Sequence, residues 1–411
     1  MSNSNSKRVV ITGMGVVSSI GIGTDSFWSA IRAGKSGIEN AKTYDTEDLQ
    51  IKIAGEVKDF DPKEQGLSKQ FLMADRYSQF AGIAAREAVE QSGIEMPLSK
   101  EKGLRAAAII GSGVGGIGTL ENSYHALFEL KKRATHPLTL IKTIASSGPA
   151  HVSIEYGIMG PCFGVVSACS TATHSIGLVY QMIKAGVIDF GLGGASEASL
   201  AWGTTRAWQG MRVLSPDGLF PFSKRRNGTV LAEGAGILML EEYEHAKERG
   251  ANILAELKGF GMTADAADMV NPSIDGTAGA MEMALTDAEL SPADIDYINA
   301  HGTATMVNDI NETRSIKHVF GNKAKDTPIS STKSMHGHAL GAGGGLEAVV
   351  SIKAMHENYM PATMGFDEPG DECDLDYIPN KGREAEVNHA MSNSFAFGGL
   401  NAVLVFGPSP A

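Results

Sequence analysis

The chain repeats itself, and that constrains it more than any single motif. The run "VVITGMG" (Val9 to Gly15) is matched by "LAELKGFG" (Leu254 to Gly261), each strand-like and ending in Gly-x-Gly. "AREAVEQSGI" (Ala85 to Ile94) is matched by "MEMALTDAEL" (Met281 to Leu290) in the spacing of its apolar residues. Cys169 stands 15 residues before Lys184 of "MIKA", and His338 stands 15 before Lys353 of "SIKA". Three matches in one order read as a duplication, in which each unit buries a face against the other. The offset between matches falls from 246 to 196 to 169, so the N-terminal unit carries the larger insertions. The units are expected to meet near residue 250, giving residues 1–250 and 251–411. On this alignment Cys169 and His338 hold equivalent places, and units set face to face bring them together.

Inside the units, β-type runs such as "RVVIT", "RAAAIIG" and "DYINA" alternate with amphipathic helical runs such as "DRYSQFAGIAAREAVEQSG" and "AMEMALTDAEL". That alternation predicts an α/β fold with mostly parallel strands. With 411 residues, 43% of them hydrophobic, the chain can bury a large core. A net charge of −12 argues against nucleic acid as the main partner, because phosphate binding needs a positive surface. No apolar stretch reaches 18 residues and "MSNSNSKRVVITGMG" lacks a signal-peptide pattern, so no membrane span is expected. The three cysteines, Cys162, Cys169 and Cys373, cannot all pair, which points to free thiols in the cytosol.

Cys169 opens the helical run "STATHSIGLVYQMIKAG", where unpaired N–H groups and the positive end of the helix dipole are expected to lower a thiol pKa. Alone, a cysteine is more often a small buried hydrophobe. Two histidine-bearing loops give it company: "NAHGTAT" with His301 follows the apolar run "IDYI", and "STKSMHGHALGAGG" with His338 leads into a helix. His125, His151, His245, His318, His356 and His389 read as structural. Neither CxxC nor HExxH accompanies the histidines, so no catalytic metal is expected. "GSGVGG" (Gly111 to Gly116) has the form G-x-G-x-x-G but lacks a following strand that ends in an acidic residue, and it reads as a tight turn. No cofactor is expected.

Six stretches taken together, "RVVITGMGVVSSIG", "SACSTATHSIG", "SPDGLFPFSKRRNGTVLAEGAG", "NAHGTATMVND", "SSTKSMHGHALGAGG" and "SNSFAFGGLNA", resemble in order the β-ketoacyl-acyl-carrier-protein synthases of the KAS I/II type, condensing enzymes of the thiolase superfamily. The resemblance covers essentially the whole chain. It implies a thiolase-like five-layered αβαβα fold of two duplicated halves and a Cys-His-His site at Cys169, His301 and His338. It further implies an oxyanion hole from the amides of Cys169 and Phe397, with Gly398 and Gly399 in the gate loop, and a buried Lys333–Glu347 pair holding the His338 loop. Asp309 and Glu312 are implied to steady the loop after His301, with Thr303 and Thr305 in support. Asn299 and Glu347 are implied to border a monovalent cation.

The implied reaction is a decarboxylating Claisen condensation of a cysteine-held acyl chain with malonyl-acyl carrier protein, in fatty-acid or type II polyketide elongation. The implied partners are acyl carrier protein, malonyl- and acyl-thioesters, and a second subunit, either identical or a homologue resembling a chain-length factor. Carrier docking is assigned to one of three basic clusters: Lys69, Lys131–Arg133 or Lys224–Arg226. The alternative within the fold is a catalytic subunit of a specialised polyene-type or modified-fatty-acid pathway. A non-catalytic partner chain is a further reading, against which the retained Cys169 speaks.

Two departures from the family pattern favour the specialised reading. His336 stands where threonine is usual, and "AFGGLN" (Ala396 to Asn401) replaces Gly-Phe-Gly-Gly-Thr-Asn. Alanine at 396 is expected to make a positive φ costly there and to alter the swing of Phe397, while Leu400 exchanges a hydroxyl for a larger apolar group.

Overall fold

The structure, a computed structural model, describes residues 7–410; residues 1–6, the start of the stretch read as lacking a signal-peptide pattern, and residue 411 lie outside it. Ten strands form the main sheet: β1 (Val9–Ser18), β2 (Ala106–Gly111), β3 (Cys162–Phe163), β4 (Phe190–Glu197), β5 (Gly234–Glu242), β6 (Ala255–Ala264), β7 (Tyr297–Asn299), β8 (Ile329–Ser330), β9 (Ala390–Ala396) and β10 (Leu400–Gly407). Their order is β8-β7-β9-β10-β6-β1-β5-β4-β2-β3, with a short eleventh strand, Gly21–Ile22, folded back on β1. Cut between β6 and β1, the order 1-5-4-2-3 recurs as 6-10-9-7-8. The strand directions recur with it: two antiparallel pairings, then two parallel ones. The halves join through a short antiparallel seam between Val9–Ile11 and Ala255–Leu257. Even an irregularity is duplicated. Register slips between Ile11 and Gly13 against β5, and at the matching place, between Leu257 and Gly259, against β10.

The sheet is mixed rather than mostly parallel as expected. β9 and β10 are joined by only Phe397–Gly399, a connection too short for anything but an antiparallel return. The corresponding β4–β5 pair keeps that antiparallel geometry although residues 198–233 are inserted between its strands.

Six helices matter to the site: α1 (Arg76–Ser92), α2 (Thr171–Lys184), α3 (Trp202–Gly210), α4 (Ile274–Ala288), α5 (Met306–Phe320) and α6 (Gly343–Glu357). The Gly-x-Gly of each repeat is explained by how closely a helix lies on its strand. A Cβ at Gly13 or Gly15 would stand 1.9 or 1.8 Å from the carbonyl oxygen of Ala88 or Ala84 in α1. A Cβ at Gly259 or Gly261 would stand 2.2 or 2.0 Å from that of Ala284 or Ala280 in α4. The glycine and alanine pairs keep the sequence offsets of 246 and 196, so these two matches are the same contact made twice.

Because both faces of the sheet are covered, its central strands read as continuous apolar runs whose alternate residues face different cores. In β5, Ile237 and Met239 meet Phe80, Ala84 and Ala88 of α1. In β10, Val403 and Val405 meet Met281 of α4 and Ile316 of α5. Leu238 and Leu240 of β5, with Leu404 and Phe406 of β10, turn instead to a central core filled by Ile176 and Val179 of α2 and Leu346 and Val349 of α6. The result is five layers, helix, sheet, helix, sheet, helix, in the thiolase-like arrangement. Among the described residues no helix is long and apolar enough to cross a membrane.

Candidate active site

The two central helices each begin with a 3-10 turn, Ala168–Ser170 before α2 and Leu340–Ala342 before α6. Each turn starts on a left-handed residue, Ala168 at φ 47° and Leu340 at φ 44°, a conformation that costs a non-glycine about 1–2 kcal/mol. Superposing the turns sets Cys169 against Gly341, which corrects the pairing of Cys169 with His338. His338 lies three residues ahead of the equivalent place. The lysine match misled because Lys184 ends α2, whereas Lys353 lies inside the longer α6.

The turns nonetheless bring the expected groups together. Cys169 Sγ is 3.1 Å from Nε2 of His338. Sγ and one nitrogen each of His301 and His338 all lie within 4.8 Å of one another. The two imidazoles meet edge to face with centroids 5.5 Å apart. All three residues are buried.

Burial pushes the Cys169 thiol up to about 12, against the pull of the Lys333 ammonium. The direction is opposite to the lowering expected at a helix head: desolvation outweighs the pull of Lys333, and the resting group is a thiol. Burial, then Lys333 and the neighbouring imidazole, holds both His301 and His338 well below the ordinary histidine range, so both are neutral. Lys333 is the hub of this arrangement. It pairs with Glu347, donates to the His301 carbonyl at 2.6 Å and lies 3.4 Å from His301 Nδ1. As an ammonium can only donate, His301 Nδ1 accepts and its proton sits on Nε2. His338 Nδ1 has no hydrogen-bond partner among the described residues.

The other expected residues support the loops. Glu312 on α5 accepts from the amides of His301 and Gly302, both at 2.8 Å. Asp309 accepts from Phe222 at 2.7 Å and Ala304 at 3.2 Å. Burial raises Glu312 and Glu347 to about 7 and Asp309 to about 6. His336 is buried; its Nδ1 donates to the Gly337 carbonyl at 2.8 Å, which leaves Nε2 to accept from Thr332 at 3.1 Å. Burial takes its pKa down to about 3. Asn299 Oδ1 and Glu347 Oε2 are buried without a donor, as is Oγ of Ser392, which pairs with Asn299 across β7 and β9. Unsatisfied buried oxygens of this kind fit the implied monovalent cation, whose charge would satisfy them.

A cavity of about 250 Å³ opens onto Cys169, His301 and His338 and is bordered by Thr303, Thr305 and Phe397. The Thr303 and Thr305 hydroxyls bond each other at 3.0 Å. Trp208 of α3, a residue no motif singled out, packs its ring against Phe397 with centroids 5.7 Å apart. The argument from positive φ at Ala396 is corrected. Ala396 ends β9, paired with Leu400, and the left-handed residues are Gly398 (φ 81°) and Gly399 (φ 67°). Their amides bond the carbonyls of Met269 and Ala396, so they shape the turn that carries Phe397.

Of the basic clusters, Lys69 and Lys131–Arg133 are exposed. Lys224 is paired with Glu368 at 3.0 Å, Arg225 stacks on Phe220 and Arg226 is buried near Asp309, so the third cluster is no free basic patch. The histidines read as structural bond elsewhere, His245 to Glu241 and His356 to the Leu254 carbonyl among them. "GSGVGG" forms a turn whose Ser112 hydroxyl and Gly113 and Val114 amides all donate to Glu197, another residue missed in the sequence.

The chain is similar to known proteins along nearly its whole length. Residues 6–246 match the family Beta-ketoacyl synthase, N-terminal domain, and residues 254–367 match Beta-ketoacyl synthase, C-terminal domain. The chain is 44% identical over 400 residues to Nodulation protein E of Rhizobium leguminosarum bv. trifolii, covering 97% of this chain and 99% of that one. It is 40% identical over 410 residues to 3-oxoacyl-[acyl-carrier-protein] synthase 2 of Staphylococcus aureus (strain COL), covering 98% and 99%. Among solved structures, the ishigamide ketosynthase/chain length factor superposes with a TM-score of 0.92 at 34% identity, over 98% of this chain and all of that one.

Proposed function

The chain belongs to the β-ketoacyl synthase family, and from that premise we propose how its residues divide the condensation that extends a fatty-acid or polyketide chain. The observation that carries the reading is the 3.1 Å contact between Cys169 Sγ and a neutral His338. In the first half-reaction Sγ attacks the acyl thioester while the thiol proton passes to Nε2 of His338. That proton is returned to the departing carrier thiol, leaving the acyl group on Cys169. The Cys169 and Phe397 amides hold the oxyanion.

Malonyl carrier then enters past Thr303 and Thr305. Nε2–H of His301 and of His338 donate to its thioester oxygen as carbon dioxide leaves, and the electron pair of the broken C–C bond becomes an enolate. His301 is fixed in the donating tautomer by Lys333. His338, with Nδ1 unheld, can accept in the first half and donate in the second. The enolate carbon attacks the acyl carbonyl and expels Cys169 as a thiolate, which takes a proton back from water. The product is a β-ketoacyl carrier two carbons longer.

We read the units as residues 1–250 and 251–411, acting in the cytosol. The carrier docks by Lys69 or Lys131–Arg133, exposed clusters not engaged as Lys224, Arg225 and Arg226 are with Glu368, Phe220 and Asp309. A second subunit, identical or of chain-length-factor type, covers the β3 edge, where Phe163, Val166, Ile154 and Met159 stand exposed. A bare strand edge beside apolar side chains is otherwise an aggregation hazard. Purified protein offered a ladder of saturated and unsaturated acyl carriers with malonyl carrier, with and without candidate partner chains, tests the reading. Elongation supports it. No elongation under any combination overturns it, and unaided elongation across saturated chains assigns the protein to general fatty-acid synthesis rather than a specialised pathway.

A further inference from the structure

The duplication assigns every site residue a counterpart in the other half, and one counterpart is chemically conspicuous. The last rung of β4–β5 pairs Glu197 with Gly234; the last rung of β9–β10 pairs Ala396 with Leu400. Glu197 and Ala396 are therefore equivalent, as Gly341 and Cys169 are on the two 3-10 turns. β2 and β7 align likewise. Ile109 pairs with Phe163 and Gly193, and Asn299 with Ser330 and Ser392. Four residues further on, Gly113 is equivalent to Thr303.

At the Cys169 turn, Cys169 together with Thr303 and Ala396 of the C-terminal half borders the open cavity. The counterpart places, Gly341 together with Gly113 and Glu197 of the N-terminal half, are closed on one another. The Glu197 carboxylate has no exposed surface. It accepts from the Gly113 amide at 2.7 Å, the Gly341 amide at 3.1 Å, the Ser112 hydroxyl at 3.0 Å and the Val114 amide at 3.4 Å. Glycine is needed at both turns, since a Cβ at either Gly113 or Gly341 would come within 2.7 Å of Glu197 Oε2.

We propose that Glu197 is a positioning residue for the condensation: its carboxylate fills, beside the Gly341 turn, the place the substrate thioester takes beside the Cys169 turn, and its bond to the Gly341 amide fixes the turn that carries His338. This rests on the reading of the Cys169 amide as an oxyanion donor, because the Gly341 amide is its counterpart. The segment is held at both ends. His338 is bound to Val230 and Ala232 through its backbone, at 2.8 and 2.9 Å, and Gly341 is bound to Glu197. Between them lies the left-handed Leu340. Loss of the Glu197 end lets the turn relax and carries the imidazole away from the enolate oxygen.

The test is malonyl-carrier decarboxylation by Glu197→Ala, assayed at pH 8, above the value of about 7 to which burial pushes the Glu197 carboxyl. Because small misplacement of a catalytic group is costly, kcat is expected to fall by about tenfold or more. KM should stay within about twofold, since substrate contacts remain. Added formate, whose carboxylate can take the vacated donors, should restore part of kcat, while chloride should not. Wild-type kcat in the variant, or a loss that formate does not relieve, overturns the proposal. If circular dichroism shows the alanine variant unfolded, Glu197→Asp replaces it, keeping the charge but withdrawing the oxygens by about 1.5 Å. A fall in kcat at unchanged KM then supports the proposal, and wild-type kcat overturns it. A wild-type protein that never decarboxylates malonyl carrier is a separate outcome, which fails the proposed function rather than this inference.

Discussion

The N-terminal and C-terminal halves share strand order, directions, a register slip and a glycine-on-helix contact, yet the end of β9 borders the cavity at Cys169 whereas the end of β4 is closed on Gly341. At the end of β9, Ala396 leaves space beside Cys169; at the end of β4, Glu197 fills the matching space and ties down Gly341. The backbone geometry that sets a helix-head amide beside a strand end is thus built twice. The side chain at one position separates a site from a strut. The halves also divide the proposed chemistry: Cys169, proposed as the nucleophile, comes from the first, and His301 and His338 with their Lys333 hub come from the second.

That division is most strongly tested at the histidines. His338→Ala should lower malonyl decarboxylation by about 10²–10⁴-fold, the usual range for a positioned proton-transfer or hydrogen-bonding group. His336→Ala should lose far less, because His336 bonds Gly337 and Thr332 and does not reach Cys169. Equal losses would mean that the C-terminal half uses both histidines and that the assignment to His338 alone is wrong.

The structural equivalence can be broken at the glycines. Gly13→Ala and Gly259→Ala each press a methyl onto a helix backbone, and each should lower stability by about 1–3 kcal/mol or more, read as a reduced urea midpoint. Loss in one half only would show that the two contacts are alike in position but not in packing.

A smaller effect sharpens the account of the nucleophile. Burial raises the Cys169 pKa, so at neutral pH the thiol dominates and the thiolate fraction grows about tenfold per pH unit until about pH 12. Alkylation of Cys169 by iodoacetamide should therefore keep accelerating above pH 9. A plateau below pH 8 would show a thiol lowered at the helix head rather than raised by burial.

Much of this architecture was legible in the sequence because it rests on spacing. The Gly-x-Gly runs and their partner alanines keep constant offsets, since a helix backbone can lie on a strand only where both lack bulk. Cys169, His301 and His338 were legible because they sit in short motifs at element ends. The exact register of the helix heads was not: Lys184 and Lys353 match by sequence, but the left-handed Ala168 and Leu340 that set the register have no distinctive side chains. Glu197 was hidden for a different reason. A buried carboxylate satisfied by backbone amides has partners that any residue type supplies, so nothing in the chain's pattern announces it. Trp208 likewise meets Phe397 only through the fold.

The central claim is that one duplicated half supplies the nucleophile, at Cys169, to histidines supplied by the other. The most direct measurement is peptide mass spectrometry of the protein after incubation with an acyl carrier thioester, for wild type and Cys169→Ala. The account predicts an acyl adduct on the Cys169 peptide of the wild type and none in the variant. An adduct on Cys162 or Cys373, or one that survives Cys169→Ala, would contradict it.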